Sequence, residues 1–139
     1  MNKFNSILSI SLIDEQLFSL NSQLIYENDK YIFIIHKGFK FDGASIPRPL
    51  WSLYGCPFGG IYTMASCLHD ALYATHLMNR RDADKLFHEA MTASGVNQLL
   101  AKQLYLGVRS FGESAYTEKQ ELAYNREFVE IKIKGYNGN

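Results

Sequence analysis

The chain is poor in cysteine, has no surplus of either charge, and contains no long hydrophobic run. Two cysteines, Cys56 and Cys67, cannot build the disulfide framework of a small secreted scaffold and fit a reducing compartment, although one bridge between them stays open. Lys plus Arg and Asp plus Glu stand at 14 each. Without a basic surplus to meet a phosphate backbone, no nucleic-acid partner is expected. No stretch approaches the roughly 20 apolar residues that a transmembrane segment needs. Residues 1–13 hold one lysine and broken apolar runs, without the continuous apolar centre of a secretory signal. The expectation is a soluble, cytoplasmic protein.

What is present is a globular composition. The 139 residues are 47% apolar and 20% charged, enough for one core. We expect a single domain over 1–139, frayed at 1–5 and 135–139. Residues 16–26 alternate loosely and 31–36 are β-branched and aromatic. Glu27-Asn28-Asp29-Lys30 between them is turn chemistry, which predicts a β-hairpin. An extended piece at 38–41 runs into Asp42-Gly43-Ala44-Ser45-Ile46-Pro47-Arg48-Pro49, where two prolines forbid a helix interior. A short helical turn is predicted over 50–54. From Ile61 the period changes, and Ile61, Ala65, Leu68 and Leu72 recur at helical spacing. Asp82 is the predicted N-cap of a second helix carrying Ala83, Leu86, Phe87, Ala90 and Met91, stopped by Ser94-Gly95. A third helix is expected over 96–110, a helical piece over 118–124 and a strand over 128–133. The fold class is α+β: an N-terminal β-hairpin packed on an antiparallel helical hairpin, plus a third helix.

The chemistry gathers on the first helix. His69 and Asp70 point about 100° apart, so His69 can serve as a general base while Asp70 turns toward a cation or a backbone partner. Ser66 and Tyr73 lie one turn to either side of His69. A polar stripe on an apolar helix needs partners. The connection to the second helix is short, so Asp84 or Asp82 should reach the His69 ring. The loop from Asp42 to Arg48 should close against this helix and bring Asp42, Ser45 and Arg48 to it, with Arg48 able to clamp a carboxylate or phosphate.

Phe41-Asp42-Gly43-Ala44-Ser45-Ile46-Pro47-Arg48, Trp51, Ala65…His69-Asp70-Ala71-Leu72-Tyr73, Arg81-Asp82-Ala83-Asp84…Phe87 and Val108-Arg109…Gly112 together resemble a phage and prophage family known as domain of unknown function 1353. The resemblance runs from about Leu24 to Gly112 and implies a phage or prophage origin, without a function. The His-Asp-x-x-Tyr helix, preceded by Tyr54-Gly55-Cys56-Pro57-Phe58-Gly59-Gly60, is also similar to phospholipase A2. That likeness implies His69 as the base that activates water, Asp84 as the carboxylate orienting it and Tyr73 as its support. It also implies Asp70, with backbone carbonyls of Gly55 and Gly59, as the holders of calcium. The departures are a connection of only nine residues from Gly60 to His69 and the absence of the secreted enzymes' disulfides.

The resulting expectation is a phage-encoded hydrolase-like domain that acts on a lipid or ester in the cytoplasm of the bacterial host or on the virion. The alternative is a non-enzymatic structural component of the particle or tail, or a module that binds a host protein. In that case His69 and Asp70 only pin the helix to the Asp42 loop. A Ser45 nucleophile lacks the Gly-x-Ser-x-Gly elbow, and a metal phosphohydrolase would demand an all-helical frame.

Overall fold

A computed structural model describes residues 2–15, 17–42, 62–118 and 121–135. Gly43, Ser45, Pro47, Arg48, Trp51, Gly55, Cys56, Gly59, Ile61 and the helical turn expected over 50–54 lie outside the described residues.

Strands come first and helices follow. Among the described residues the strands are β1 (Lys3–Phe4), β2 (Ile10–Asp14), β3 (Leu17–Leu20), β4 (Leu24–Glu27), β5 (Tyr31–Ile35), β6 (Lys40–Phe41) and, after the described helices, β7 (Val129–Ile133). The helices are α1 (Thr63–Thr75), α2 (Arg80–Ala93), α3 (Gln98–Phe111), α4 (Glu113–Thr117) and α5 (Leu122–Arg126). This is an α+β fold with two antiparallel sheets, ordered β1-β4-β5-β7 and β2-β3-β6.

The predicted hairpin is β4–β5, in register from Leu24 opposite Ile35 to Glu27 opposite Ile32. Its turn closes on Asn28, whose Oδ1 accepts from the backbone N–H of Lys30 at 2.9 Å and of Tyr31 at 2.7 Å. Leu24, Tyr26, Phe33 and Ile35 alternate onto the buried face. The expected strand over 16–26 is in fact two strands in different sheets, β3 and β4, because the chain bends at 21–23. Residues 3–4, expected to be frayed, pair with β4 and set Phe4 opposite Tyr26, their ring centroids 4.8 Å apart.

Helix α1 is buried almost all round, so it forms the centre of the helical layer. Residues 76–79 alone connect it to α2, whose Ala83, Leu86, Phe87, Ala90 and Met91 are all buried as the period predicted. The N-cap of α2 is Asn79, not Asp82. Asn79 Oδ1 accepts from the Asp82 N–H at 2.9 Å, and its amide donates to Asp82 Oδ2 at 3.1 Å, a reciprocal cap that uses Asp82 as the acidic first-turn residue. The third helix starts two residues later than predicted because Asn97 takes the cap, accepting from Leu99 and Leu100. Of the helical piece expected at 118–124, the described residues are helical only from 122, in α5, while Glu118 is extended and ends α4, a short helix that was not expected.

The C-terminal segment clamps the end of α1. The Asn125 amide donates to the Ala74 carbonyl at 2.8 Å and Arg126 Nε to that of Thr75 at 2.7 Å, satisfying carbonyls that a helix end leaves open. His76 takes the left-handed conformation at φ 51°, stacks on Tyr116 at 4.0 Å and sits 2.6 Å from the Tyr116 carbonyl.

A buried His-Asp-Tyr site beside an acidic cavity

Helical spacing puts His69 and Tyr73 one turn apart on α1, and the short connection returns α2 so that Asp84 meets both. His69 Nε2 lies 2.6 Å from Asp84 Oδ1, and the Tyr73 hydroxyl donates to the same oxygen at 2.6 Å. The second oxygen, Oδ2, accepts from Arg109 Nη1 at 2.8 Å and faces Arg80 Nη1 at 3.6 Å. His69 and Asp84 are both 0% exposed. The imidazole is sandwiched at 4.2 Å from the Tyr73 ring and 4.6 Å from the Phe87 ring.

Protonation states follow from the partners. Burial would raise the Asp84 carboxyl, but the hydrogen bonds from His69, Tyr73 and Arg109 outweigh it and hold the carboxyl below its ordinary value. Asp84 is therefore ionised and can only accept. His69 must then donate from Nε2, which leaves the imidazole lone pair on Nδ1. Burial lowers the His69 value against the opposing pull of Asp84, so the ring is neutral at pH 7. Burial, reinforced by Asp84, raises the Tyr73 phenol and keeps it a donor.

Asp70, one residue on, is directed elsewhere. With Asp42, Tyr73, Glu118 and Asn125 it lines a cavity of about 210 Å³ whose apolar walls include Phe39 and Phe41. The end of β6 thus reaches α1, while the 43–48 part of the loop expected to close on this helix lies outside the described residues. Ser45 and Arg48, expected on the substrate side, and Gly55 and Gly59, expected to hold calcium, are outside the described residues. Among the described residues no three His, Cys, Asp or Glu side chains gather with metal-binding geometry. Asp82, the alternative partner for His69, faces Asn79 instead. His36 pairs with Glu130 at 2.9 Å, and the His88 ring sits 5.6 Å from that of Tyr105, both away from this site.

Sequence reasoning missed the two arginines. Arg80 precedes Asp84 by four residues, the spacing of a helical ion pair, and that signal was available. Arg109 arrives from α3, which no local pattern announces. Gly112 was quoted without a role and has one. A Cβ there would stand 2.5 Å from the Val108 carbonyl oxygen and 2.7 Å from the Tyr73 hydroxyl. Only glycine lets the α3–α4 junction close over that hydroxyl.

An α+β fold with an interior imidazole-carboxylate-phenol network is the class that this structure defines. The family described as Protein of unknown function (DUF1353) matches residues 18–108, and the chain belongs to it. The match includes His69, Asp70, Tyr73, Arg80 and Asp84 and stops one residue before Arg109. The chain is 35% identical over 97 residues to the uncharacterized protein y4jT of Sinorhizobium fredii (strain NBRC 101917 / NGR234), covering 69% of this chain and 29% of that protein. It is also 35% identical over 77 residues to the uncharacterized protein y4iH of the same strain, covering 55% of this chain and 32% of the relative. The chain thus spans about a third of the length of these relatives. No solved structure matches it.

Proposed function

We propose that the domain is a hydrolase of the phospholipase A2-like kind, with His69 as the general base that takes a proton from water attacking an ester. The observation that supports it is the shared oxygen of Asp84, which receives His69 Nε2–H and the Tyr73 hydroxyl and so fixes the ring with its lone pair on Nδ1. Asp84 orients the ring and would stabilise the imidazolium formed as the proton moves; Tyr73 holds Asp84. The Asp70 carboxylate, which lines the cavity, is a hard donor of the type calcium selects, and the phospholipase likeness gives the remaining ligands to backbone carbonyls of Gly55 and Gly59. Calcium held there would polarise the ester carbonyl. Asp42, Ser45 and Arg48 are the side chains proposed to meet the rest of the substrate. In this reading the protein is phage-encoded and acts in the bacterial host or on the particle.

The complete burial of His69 favours a second reading, a non-enzymatic component of a particle or a host-binding module in which the network only locks three helices together. One set of measurements separates them. The full chain is incubated with phospholipid vesicles and short-chain esters, with millimolar calcium or EDTA, beside His69→Ala and Asp70→Asn. Under the hydrolase reading, turnover needs calcium and falls about a hundredfold or more in His69→Ala. Calcium also raises the melting temperature of the wild type but not of Asp70→Asn. Absence of turnover and of any calcium shift, with His69→Ala destabilised by about 1–3 kcal/mol, would sink it in favour of the second.

A further inference from the structure

We propose that the cleft between the β4–β5 turn and the first turns of α2 is a second binding site, for a small zwitterion with an apolar body: a free apolar α-amino acid. The proposal is independent of the hydrolase reading, since no described residue lines both this cleft and the cavity at Asp70. The cleft has a volume of about 300 Å³. That is the small end of the range for ligand sites, with room for on the order of ten heavy atoms.

Two regular elements shape it. Asp82, Lys85, Leu86 and Glu89 recur at helical spacing and so share one face of α2. Tyr31 and Phe33, two apart on β5, share one face of the sheet, with ring centroids 5.8 Å apart in an edge-on arrangement. Phe33 and Leu86 are buried and form the floor. The polar end is held in place. Asn28 is buried, commits its Oδ1 to the hairpin turn and donates its amide to Glu89 Oε2 at 3.1 Å. The Tyr26 hydroxyl donates to the same oxygen at 2.7 Å. Glu89 is thus fixed by two neutral donors through one oxygen, and among the described residues its Oε1 accepts no hydrogen bond.

The cations differ from it. Lys85 precedes Glu89 by four residues, the weaker order for a helical ion pair. Among the described residues neither Lys85 nor Lys30 enters an ion pair, and Lys30 Nζ lies 5.4 Å from the Tyr31 ring centroid. Charge then sorts the ligand classes. An anion would meet Glu89 and Asp82, a cation would meet Lys30 and Lys85, and a neutral hydrocarbon would take water from all four. A molecule carrying ammonium and carboxylate on one carbon gives Glu89 Oε1 a donor and a lysine an acceptor. Its side chain then covers the apolar floor of Phe33 and Leu86.

The test is ¹H–¹⁵N NMR of the full chain titrated with L-phenylalanine and L-leucine, read by which amides move. Both should shift Lys30, Tyr31, Lys85 and Glu89 and saturate. N-acetyl-phenylalanine lacks the ammonium and phenylalanine amide lacks the carboxylate, so each should bind at least about tenfold more weakly. Free glycine, without an apolar body, should bind about tenfold more weakly as well. Glu89→Gln should erase the preference for phenylalanine over its N-acetyl derivative. The double variant Lys30→Met with Lys85→Met should erase the preference over the amide. Should Glu89→Gln unfold, the lysine variant carries the test, since both lysines are exposed. Three results would each overturn the proposal: no saturable shift at about 10 mM of either amino acid, shifts centred on Asp70 and Asn125 instead, or capped derivatives that bind as tightly as the free amino acids.

Discussion

Replacing Asp84 by asparagine is the most revealing perturbation, because it keeps the side chain's size and removes half of what it does. The carboxylate offers two acceptor oxygens, and every neighbour that touches them is a donor: His69 Nε2–H, the Tyr73 hydroxyl and Arg109. An amide offers one oxygen and one NH₂. Whichever way it turns, the NH₂ confronts N–H or O–H donors, and two guanidinium groups lose their counter-charge. Breaking a buried charge pair by removing one partner costs about 3–5 kcal/mol. That is a large share of the roughly 5–15 kcal/mol by which a domain is stable. For 139 residues, the unfolding entropy is about 0.3 kcal/mol/K, so the melting temperature should fall by about 10–17 °C. The effect must depend on pH. Asp84's folded value lies below its unfolded one, so its contribution is present above about pH 3.9 and lost as pH falls through the folded value. His69 is also lowered on folding, so its contribution is complete above about pH 6.5 and declines below it. Calorimetry of both proteins from pH 3 to 8 checks this. The gap should be widest near neutrality and narrow in acid. A variant that melts within about 3 °C of wild type at pH 7, or a gap that ignores pH, would refute the reasoning.

Gly112→Ala should cost about 1–3 kcal/mol by pressing a methyl group on the Val108 carbonyl and the Tyr73 hydroxyl, and thermal melting measures it. Asn79→Ala removes the cap of α2 and should cost about 1 kcal/mol in a urea titration, without changing the His69 tautomer. Tyr73→Phe should cost about 1.5–3 kcal/mol through the loss of one hydrogen bond to a charged acceptor, with Arg109 still holding the carboxylate.

How far the chain could be read ahead of its structure differed from element to element. The faces of α1 and α2 were legible because helical period acts over a few residues, and the meeting of His69, Tyr73 and Asp84 followed from that period plus a connection too short to do anything else. The Asn28 turn was legible for the same reason. The bend at 21–23 was not, because nothing local distinguishes one long strand from two short ones assigned to different sheets. That choice is made by β1 and β6, which are remote in sequence from where it takes effect. The cap of α2 was misplaced by three residues because Asn79 and Asp82 both carry cap chemistry, and only the backbone decides which is outside the helix. Arg109 was invisible as a partner of Asp84, since the packing of α3 on α2 is a property of three-dimensional closure.

The pairing of β7 with β5 has a consequence for the order in which the chain is made. β5 ends at Ile35 and β7 begins at Val129, so the five described helices are synthesised between the two strands. At about 5–20 residues per second, the β5 edge waits on the order of 5–20 seconds for its neighbour. During that wait Tyr31-Ile32-Phe33-Ile34-Ile35 is an uncharged, strongly β-forming segment with one side open, the kind of template on which nascent chains aggregate. Lys30 before it and His36-Lys37 after it are the flanking residues that discourage such pairing. A fold built this way depends on β7 to seal a hazard that β5 creates.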